Sequence, residues 1–333
     1  MLTQQLQPIF PRPFLKWAGG KSKLISQYIP YLPAKFDNYY EPFLGGGAVF
    51  FYLASNGANP ATLLKREIAG GIIPPATLSS SGGDGETPSL VLKSTALDGE
   101  TPSVKTPPLF AKTPRISALT DINFELINAY CCVRDRVEEL ILLLAEHQVS
   151  HSKDYYYQMR KQNQGTTLEK AARLIYLNKT CFNGLYRENS KGEFNVPIGK
   201  YKNPTICNAE GLRSVSLSLQ SAKLEVRPFD AVLDYATAQD FVYFDPPYYP
   251  LSPTSNFTAY SSYCFNENDQ IRLKDTFAQL AKQGVKVMLS NSDCFFIREL
   301  YKEFNIYEIS AARAINSNAK KRGKITELLI TSY

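Results

Sequence analysis

A chain of 333 residues with 44% hydrophobic content is long enough for one large domain, or two moderate ones, around a real core. No stretch approaches the roughly 18 uninterrupted apolar residues of a membrane span, and the opening MLTQQLQPIFPRP lacks a charged-then-apolar leader, so cytoplasmic residence is expected. Six cysteines without a CxxC pair, with only two histidines, argue against a disulfide framework or a zinc cluster, and a net charge of +6 is modest enough that its placement matters more than its size.

In chain order, PFLKWAGGK (13–21) sets the only tryptophan beside a glycine pair and between Lys16 and Lys21. Paired glycines suggest close backbone approach to something, and two lysines are hard to bury unless paired. DNYYEPF (37–43) then reads as a strand entering LGGG (44–47), with a helix starting at Ala48. Strand, glycine turn and helix form the opening unit of a nucleotide-binding α/β fold, yet the spacing is not GxGxxG. That disfavours a dinucleotide and a dehydrogenase, and leaves room for a nucleoside cofactor without a pyrophosphate.

Composition changes over 70–108, where 23 of 39 residues are Gly, Pro, Ser or Thr and DGETPS occurs twice, at 84–89 and 98–103. This is a low-complexity insert, too poor in aromatic and branched residues to fold alone and expected to be a solvated loop. Order is expected to return at LTDIN (119–123), where Asp121 ends a short apolar run. Such a carboxylate can accept from ribose hydroxyls, or it can simply cap the following helix. Three- and four-residue periodicity predicts one long helix over 124–147 and another over 168–177.

The stretch KTCFNGLYRENSKGEFNVPIGKYKN (179–203) mixes five basic residues with two acidic ones and a glycine turn at 191–192. It reads as a hairpin. With Arg187, Lys200, Tyr201 and Lys202 it could enter a major groove, arginine reading guanine and lysines holding phosphates, although a solvated basic hairpin has the same composition.

After a short strand at 224–226 and Phe229-Asp230 comes the apolar run 241–244, which stops abruptly at Asp245-Pro246-Pro247-Tyr248. This pattern reads as a buried strand delivering a carboxylate to its carboxyl edge, the edge where ligands bind in open α/β sheets; the plain alternative is a strand-ending turn. Two prolines fix φ and remove N–H donors, so rigid carbonyl acceptors lie beside an aromatic ring. That combination suits a planar substrate bearing an amino group, such as a nucleobase taken out of its stack. A helix at 266–283, a strand at 285–289 ending in SNSD, a helix at 294–301 and strands at 306–309 and 325–332 close the alternation. Lys320, Lys321, Arg322 and Lys324 make a second basic cluster, and two such clusters beside a candidate base pocket suggest a DNA-facing surface.

Taken together, PFLKWAGGK (13–21), EPFLGGGAVF (41–50), TDIN (120–123) and DPPY (245–248) resemble, in this order, the motifs of the Dam-type DNA adenine-N6 methyltransferases, the D12 class that uses S-adenosylmethionine, in its alpha-group arrangement. FNGLYRENSKGEFNVPIGKYKNP (182–204) is similar to the DNA-reading hairpin of members that modify GATC, and KRGKITELLITSY agrees near the end. The resemblance implies a Rossmann-like class I methyltransferase sheet with helices on both faces, in three parts (1–64, 116–128 and 213–333). It further implies a small, mostly helical recognition domain with a hairpin at 129–212, and makes 65–115 the insert. It assigns the cofactor S-adenosyl-L-methionine to Trp17, Lys21, Glu41, Gly45, Gly47, Asp121, Phe229, Asp230 and Asp245. Catalysis falls to Asp245, Pro246 and Tyr248, and DNA contacts to Arg187, Asn195, Pro197, Lys200 and Tyr201. A monomer acting on double-stranded DNA without a metal is expected, orphan or partnered with a restriction enzyme. A glutamine-amide methyltransferase also presents an amino group to a Pro-Pro-Tyr loop, but such enzymes carry Asn where this chain has Asp245. An inactive DNA-binding homologue, its pocket spoiled by the insert between Glu41 and Asp121, is the alternative from another class.

Overall fold

The computed structural model describes residues 10–57, 116–189, 191–251, 265–312 and 324–333. The insert at 65–115 and the basic residues 320–322 lie outside these. Seven strands form one sheet: β1 Tyr39–Glu41, β2 Ser117–Asp121, β3 Ala222–Val226, β4 Phe241–Phe244, β5 Lys286–Ser292, β6 Asn305–Ala312 and β7 Lys324–Thr331. Their order is β3-β2-β1-β4-β5-β7-β6, with the first five parallel and β7 antiparallel to both β5 and β6. The chain runs outward from β1 to β3 and then returns to place β4 on the other side of β1. The crevice at the carboxyl ends of β1 and β4 is therefore the topological switch point, where such sheets bind ligands.

Alternation along the strands divides the core between the two faces. Tyr39, Leu119, Phe241, Tyr243 and Met288 pack on one side, while Tyr40, Ala118, Val242, Phe244 and Leu289 pack on the other. β4 is buried along its whole length, as a central parallel strand covered on both faces must be. The amino ends of β1 and β4 are clipped by Asp240, a fully buried carboxylate that accepts from Asn38 N–H (3.1 Å) and Nδ2 (2.8 Å) and from Thr237 N–H (2.8 Å) and Oγ1 (2.9 Å). Those charge-assisted bonds are what allow it to be buried.

The helices are α1 Ile25–Tyr28, α2 Ala48–Gly57, α3 Phe124–Asp135, α4 Val137–Ser150, α5 Lys153–Lys161, α6 Thr167–Thr180, α7 Ala209–Leu219, α8 Glu267–Lys282 and α9 Phe295–Leu300. Two features depart from the sequence reading. The long helix expected over 124–147 is broken at Arg136, whose backbone (φ −138°, ψ 40°) closes α3 and opens α4 while its guanidinium pairs with Glu139. Helices α5 and α7 were not expected: α5 is short and starts on a Ser152 cap, and α7 hides its apolar positions among serines. Strong local caps mark α6 and α8, where Thr166–Glu169 and Asn266–Asp269 form capping boxes. Among the described residues no helix is long and apolar enough to cross a membrane.

Candidate active site

Three carboxylates emerge at the carboxyl ends of neighbouring strands: Glu41 from β1, Asp121 from β2 and Asp245 just past β4. The insert separates the first two in sequence but not in space. β1 and β2 pair in parallel, Leu44 N–H donates to Thr120 C=O (3.0 Å), and Gly45 N–H donates to Asp121 Oδ2 (3.3 Å). Asp121 Oδ1 also accepts Asn123 N–H (3.0 Å), and it is Asn123, not Asp121, that caps α3 by accepting from Leu126 N–H. Burial raises the Asp121 carboxyl to about 6 despite these bonds. Glu41, 2% exposed, is pushed up to about 8 by burial, against the opposing bond from Tyr39 OH (2.9 Å).

Gly45 needs to be glycine on two counts. Its φ is +46°, and a Cβ there would lie 2.9 Å from Trp17 Cδ1. Trp17 is thus half-buried between the glycine turn and the 182–204 hairpin, where its ring stacks on Tyr186 (centroids 5.2 Å, planes 24° apart). The neighbouring Lys16 is clipped by the buried side chain of Asn178 on α6. Asn178 accepts Lys16 N–H (2.8 Å) and donates to the carbonyls of Lys16 (2.7 Å) and Gly184 (3.0 Å). The Lys16 ammonium then lies 4.6 Å from the Tyr201 ring centroid.

Asp245 sits under Lys21. The Lys21 ammonium, almost fully buried, lies 2.6 Å from Asp245 Oδ1, donates to Gly19 C=O (2.5 Å) and rests 4.8 Å from the Tyr248 ring centroid. Ser290 on β5 donates to the same Oδ1 (2.9 Å) and meets Tyr243 OH at 3.0 Å. Among the described residues, nothing bonds Asp245 Oδ2 or the Pro246 carbonyl. Tyr248 OH donates to Glu327 on β7 (2.8 Å), whose carboxyl is raised by burial, and burial holds the Tyr248 hydroxyl well above its ordinary value. Phe229 is buried against Phe43 (centroids 5.4 Å, planes 22° apart), with the Arg272 guanidinium 4.7 Å from its ring centroid. Asp230, 3.7 Å from Arg272, lies at the same place.

In the hairpin, antiparallel bridges join Cys181 to Ile198 and Glu188 to Phe194, and Gly192 turns at φ +73°. Arg187 is tied across it to Asn195, Nε to Oδ1 at 2.6 Å, while Pro197 C=O accepts Phe182 N–H (2.8 Å) and Lys200 is exposed. The structure thus gathers Glu41, Gly45, Gly47, Asp121 and Trp17 around the glycine turn, and Lys21, Asp245, Pro246 and Tyr248 beside it. The hairpin residues form a separate group joined to the first through Trp17. Sequence reasoning missed Ser290, Glu327, Asn178 and Gln270; SNSD (290–293), a polar run where a buried strand ends, was the one available signal.

An edge rich in carboxylates, with a glycine turn that approaches closely, fits a cationic nucleoside donor with an ammonium and ribose hydroxyls. Among the described residues no group of three or more His, Cys, Asp or Glu could hold a metal ion. The type II methyltransferase M1.LlaDCHI of Lactococcus lactis subsp. cremoris is 38% identical over 330 residues, covering 97% of this chain and 95% of its own. The type II methyltransferase M.MjaIII of Methanocaldococcus jannaschii is 38% identical over 341 residues, 97% of this chain and 99% of its own. A DNA adenine methylase of Escherichia coli (strain K12) is 31% identical over 322 residues, 96% of this chain and 94% of its own. The D12 class N6 adenine-specific DNA methyltransferase family matches residues 17–63 and 110–315, stepping over most of the low-complexity insert. With the site at the switch point and the motifs in place, the chain belongs to the D12 class of N6 adenine-specific DNA methyltransferases.

Proposed function

We propose that the chain methylates adenine N6 within GATC in double-stranded DNA, with S-adenosyl-L-methionine as donor and as a cytoplasmic monomer. The observation that carries the catalytic reading is a pair of acceptors that no described residue bonds, Asp245 Oδ2 and the Pro246 carbonyl, on one rigid loop beside the Tyr248 ring. Adenine N6 is a poor nucleophile because its lone pair is delocalised into the ring. Two fixed acceptors for its two N–H groups build charge on nitrogen as it attacks, and they need no reorganisation at that moment. Asp245 acts first as acceptor and receives the proton only after transfer. Tyr248, held by Glu327, stacks on the extruded base and offsets part of the few kcal/mol that flipping costs. When bound, S-adenosylmethionine supplies an already activated methyl on its sulfonium. Glu41 would accept from its ammonium, Asp121 from its ribose, and Phe229 with Asp230 would take its adenine, with Trp17, Gly45 and Gly47 shaping the cradle.

The GATC reading rests on the resemblance of the 182–204 hairpin and on similarity to proteins named DNA adenine methylase. Arg187 would read a guanine while Asn195, Pro197, Lys200 and Tyr201 set register. Incorporation of a labelled methyl group into duplex DNA tests the chemistry. Label on adenine N6, abolished in Asp245→Ala while DNA still binds, is expected; label on cytosine or full activity in that variant would sink the mechanism.

A further inference from the structure

The loop carrying Asp245 is fastened from behind by a chain of hydrogen bonds that runs in one direction. Asn291 Oδ1, on β5, accepts the backbone N–H groups of Tyr249 (3.1 Å) and Ser292 (2.8 Å). Its oxygen being committed, Asn291 offers Nδ2, which donates to Gln270 Oε1 on α8 (3.0 Å). Gln270 is left with Nε2, which donates to the Pro247 carbonyl (2.9 Å). Both amides are buried, at 0% and 1% exposure, so water cannot stand in for a missing partner. Backbone N–H groups at one end set the orientation of both side chains, because each amide has one accepting and one donating end.

Ser292 Oγ adds a bond to the Tyr249 carbonyl (2.7 Å), and the Tyr249 ring is stacked on Phe296 (centroids 4.5 Å). The segment 247–249 is therefore held at three backbone atoms and one ring. Pro246 and Pro247 cannot hold this loop themselves, since neither has an N–H, but their rings lock φ. Tying down the Pro247 carbonyl and the Tyr249 N–H leaves the intervening backbone little freedom. Of the two proline carbonyls, that of Pro247 is tied to Gln270, while among the described residues no hydrogen bond is made to that of Pro246.

We propose that Gln270 and Asn291 are positioning residues for methyl transfer, a directional amide relay that ties back the Pro247 carbonyl so that the Pro246 carbonyl is presented to the substrate amino group. The relay rests on the reading in which Asp245 and Pro246 accept from adenine N6. Its polarity makes it testable. A Glu at 270 keeps the shape, and its oxygens can still accept from Asn291. Protonated, it donates to the Pro247 carbonyl as Gln does; ionised, it sets a carboxylate oxygen against that carbonyl. Burial favours the protonated form at the lower end of the pH range.

The experiment compares full-length parent, Gln270→Met and Gln270→Glu. It measures kcat across pH, donor affinity by calorimetry, and fluorescence of 2-aminopurine at the target position as a report of base flipping. Gln270→Met should lose roughly 10- to 100-fold in kcat, the scale of a misplaced reacting group, with donor affinity and the flipping signal unchanged. Gln270→Glu should approach the parent at low pH and fall away from it as pH rises. Parental kcat in Gln270→Met, parallel loss of donor binding and flipping, or a Gln270→Glu profile parallel to the parent would each overturn the relay. Full activity in an Asp245→Ala control would instead overturn the reading beneath it.

Discussion

Glu41 carries a pH dependence that can be worked out from its surroundings. Its carboxyl lies at about 8 in the folded protein, against an ordinary value of 4.5, because the chain buries it at the end of β1. Between those values the folded state holds a proton that the unfolded state has released, so stability falls as pH rises. The contribution is fully retained below about 4.5, lost progressively, and gone above about 8. At about 1.4 kcal/mol per pH unit, holding Glu41 protonated in the folded state costs the unloaded protein on the order of 3 kcal/mol at neutral pH. Asp121, raised from 3.8 to about 6, adds a smaller loss of the same sign in the lower part of that window.

Glu41→Gln copies the protonated form and still accepts from Tyr39 OH. Urea unfolding at several pH values should find it more stable than the parent by about 4–5 kcal/mol at pH 8.5 and little different at pH 4.5. The parent should bind S-adenosylmethionine more tightly as pH rises toward 8.5, when a carboxylate is available to the ammonium, and Glu41→Gln should bind weakly at every pH. Equal pH slopes of stability in parent and variant would refute the argument from burial. A pH-independent donor affinity in the parent would refute the assignment of the ammonium to Glu41.

Sequencing-based mapping of methylated adenines in a host lacking the modification should return GATC. Arg187→Ala should cost about 1–3 kcal/mol and relax discrimination at one position, whereas Lys200→Ala should weaken all sequences alike. A different motif would mean that the hairpin comparison was overextended. Shortening 65–115 to a few residues should leave methyl transfer and melting temperature near the parent's, since closing a shorter loop changes the free energy by only about 0.6 kcal/mol per halving. A shortened protein that folds but no longer binds the donor would show that the insert shapes the pocket.

The amino-acid sequence by itself determined the features that arise within a few consecutive residues. The apolar run 241–244 could end only at Asp-Pro-Pro, the glycines 45–47 could serve only a turn, and both fell at strand carboxyl ends as expected. Local chemistry was less decisive inside helices. Periodicity running through 124–147 concealed the break at Arg136, and the serine-rich stretch 209–219 carried too faint a stripe to be seen as α7. What only the tertiary structure decided is which polar residues meet. Nothing local marks Gln270 apart from other polar positions of α8, or joins Glu327 to Tyr248 or Asn178 to Lys16. Those meetings depend on the strand order that inserts β1 between β2 and β4 and on the antiparallel return of β7 beside β5. A side chain's spacing along the chain sets the face it occupies, but its partner comes from another element, and only packing the whole sheet brings the two within hydrogen-bond reach.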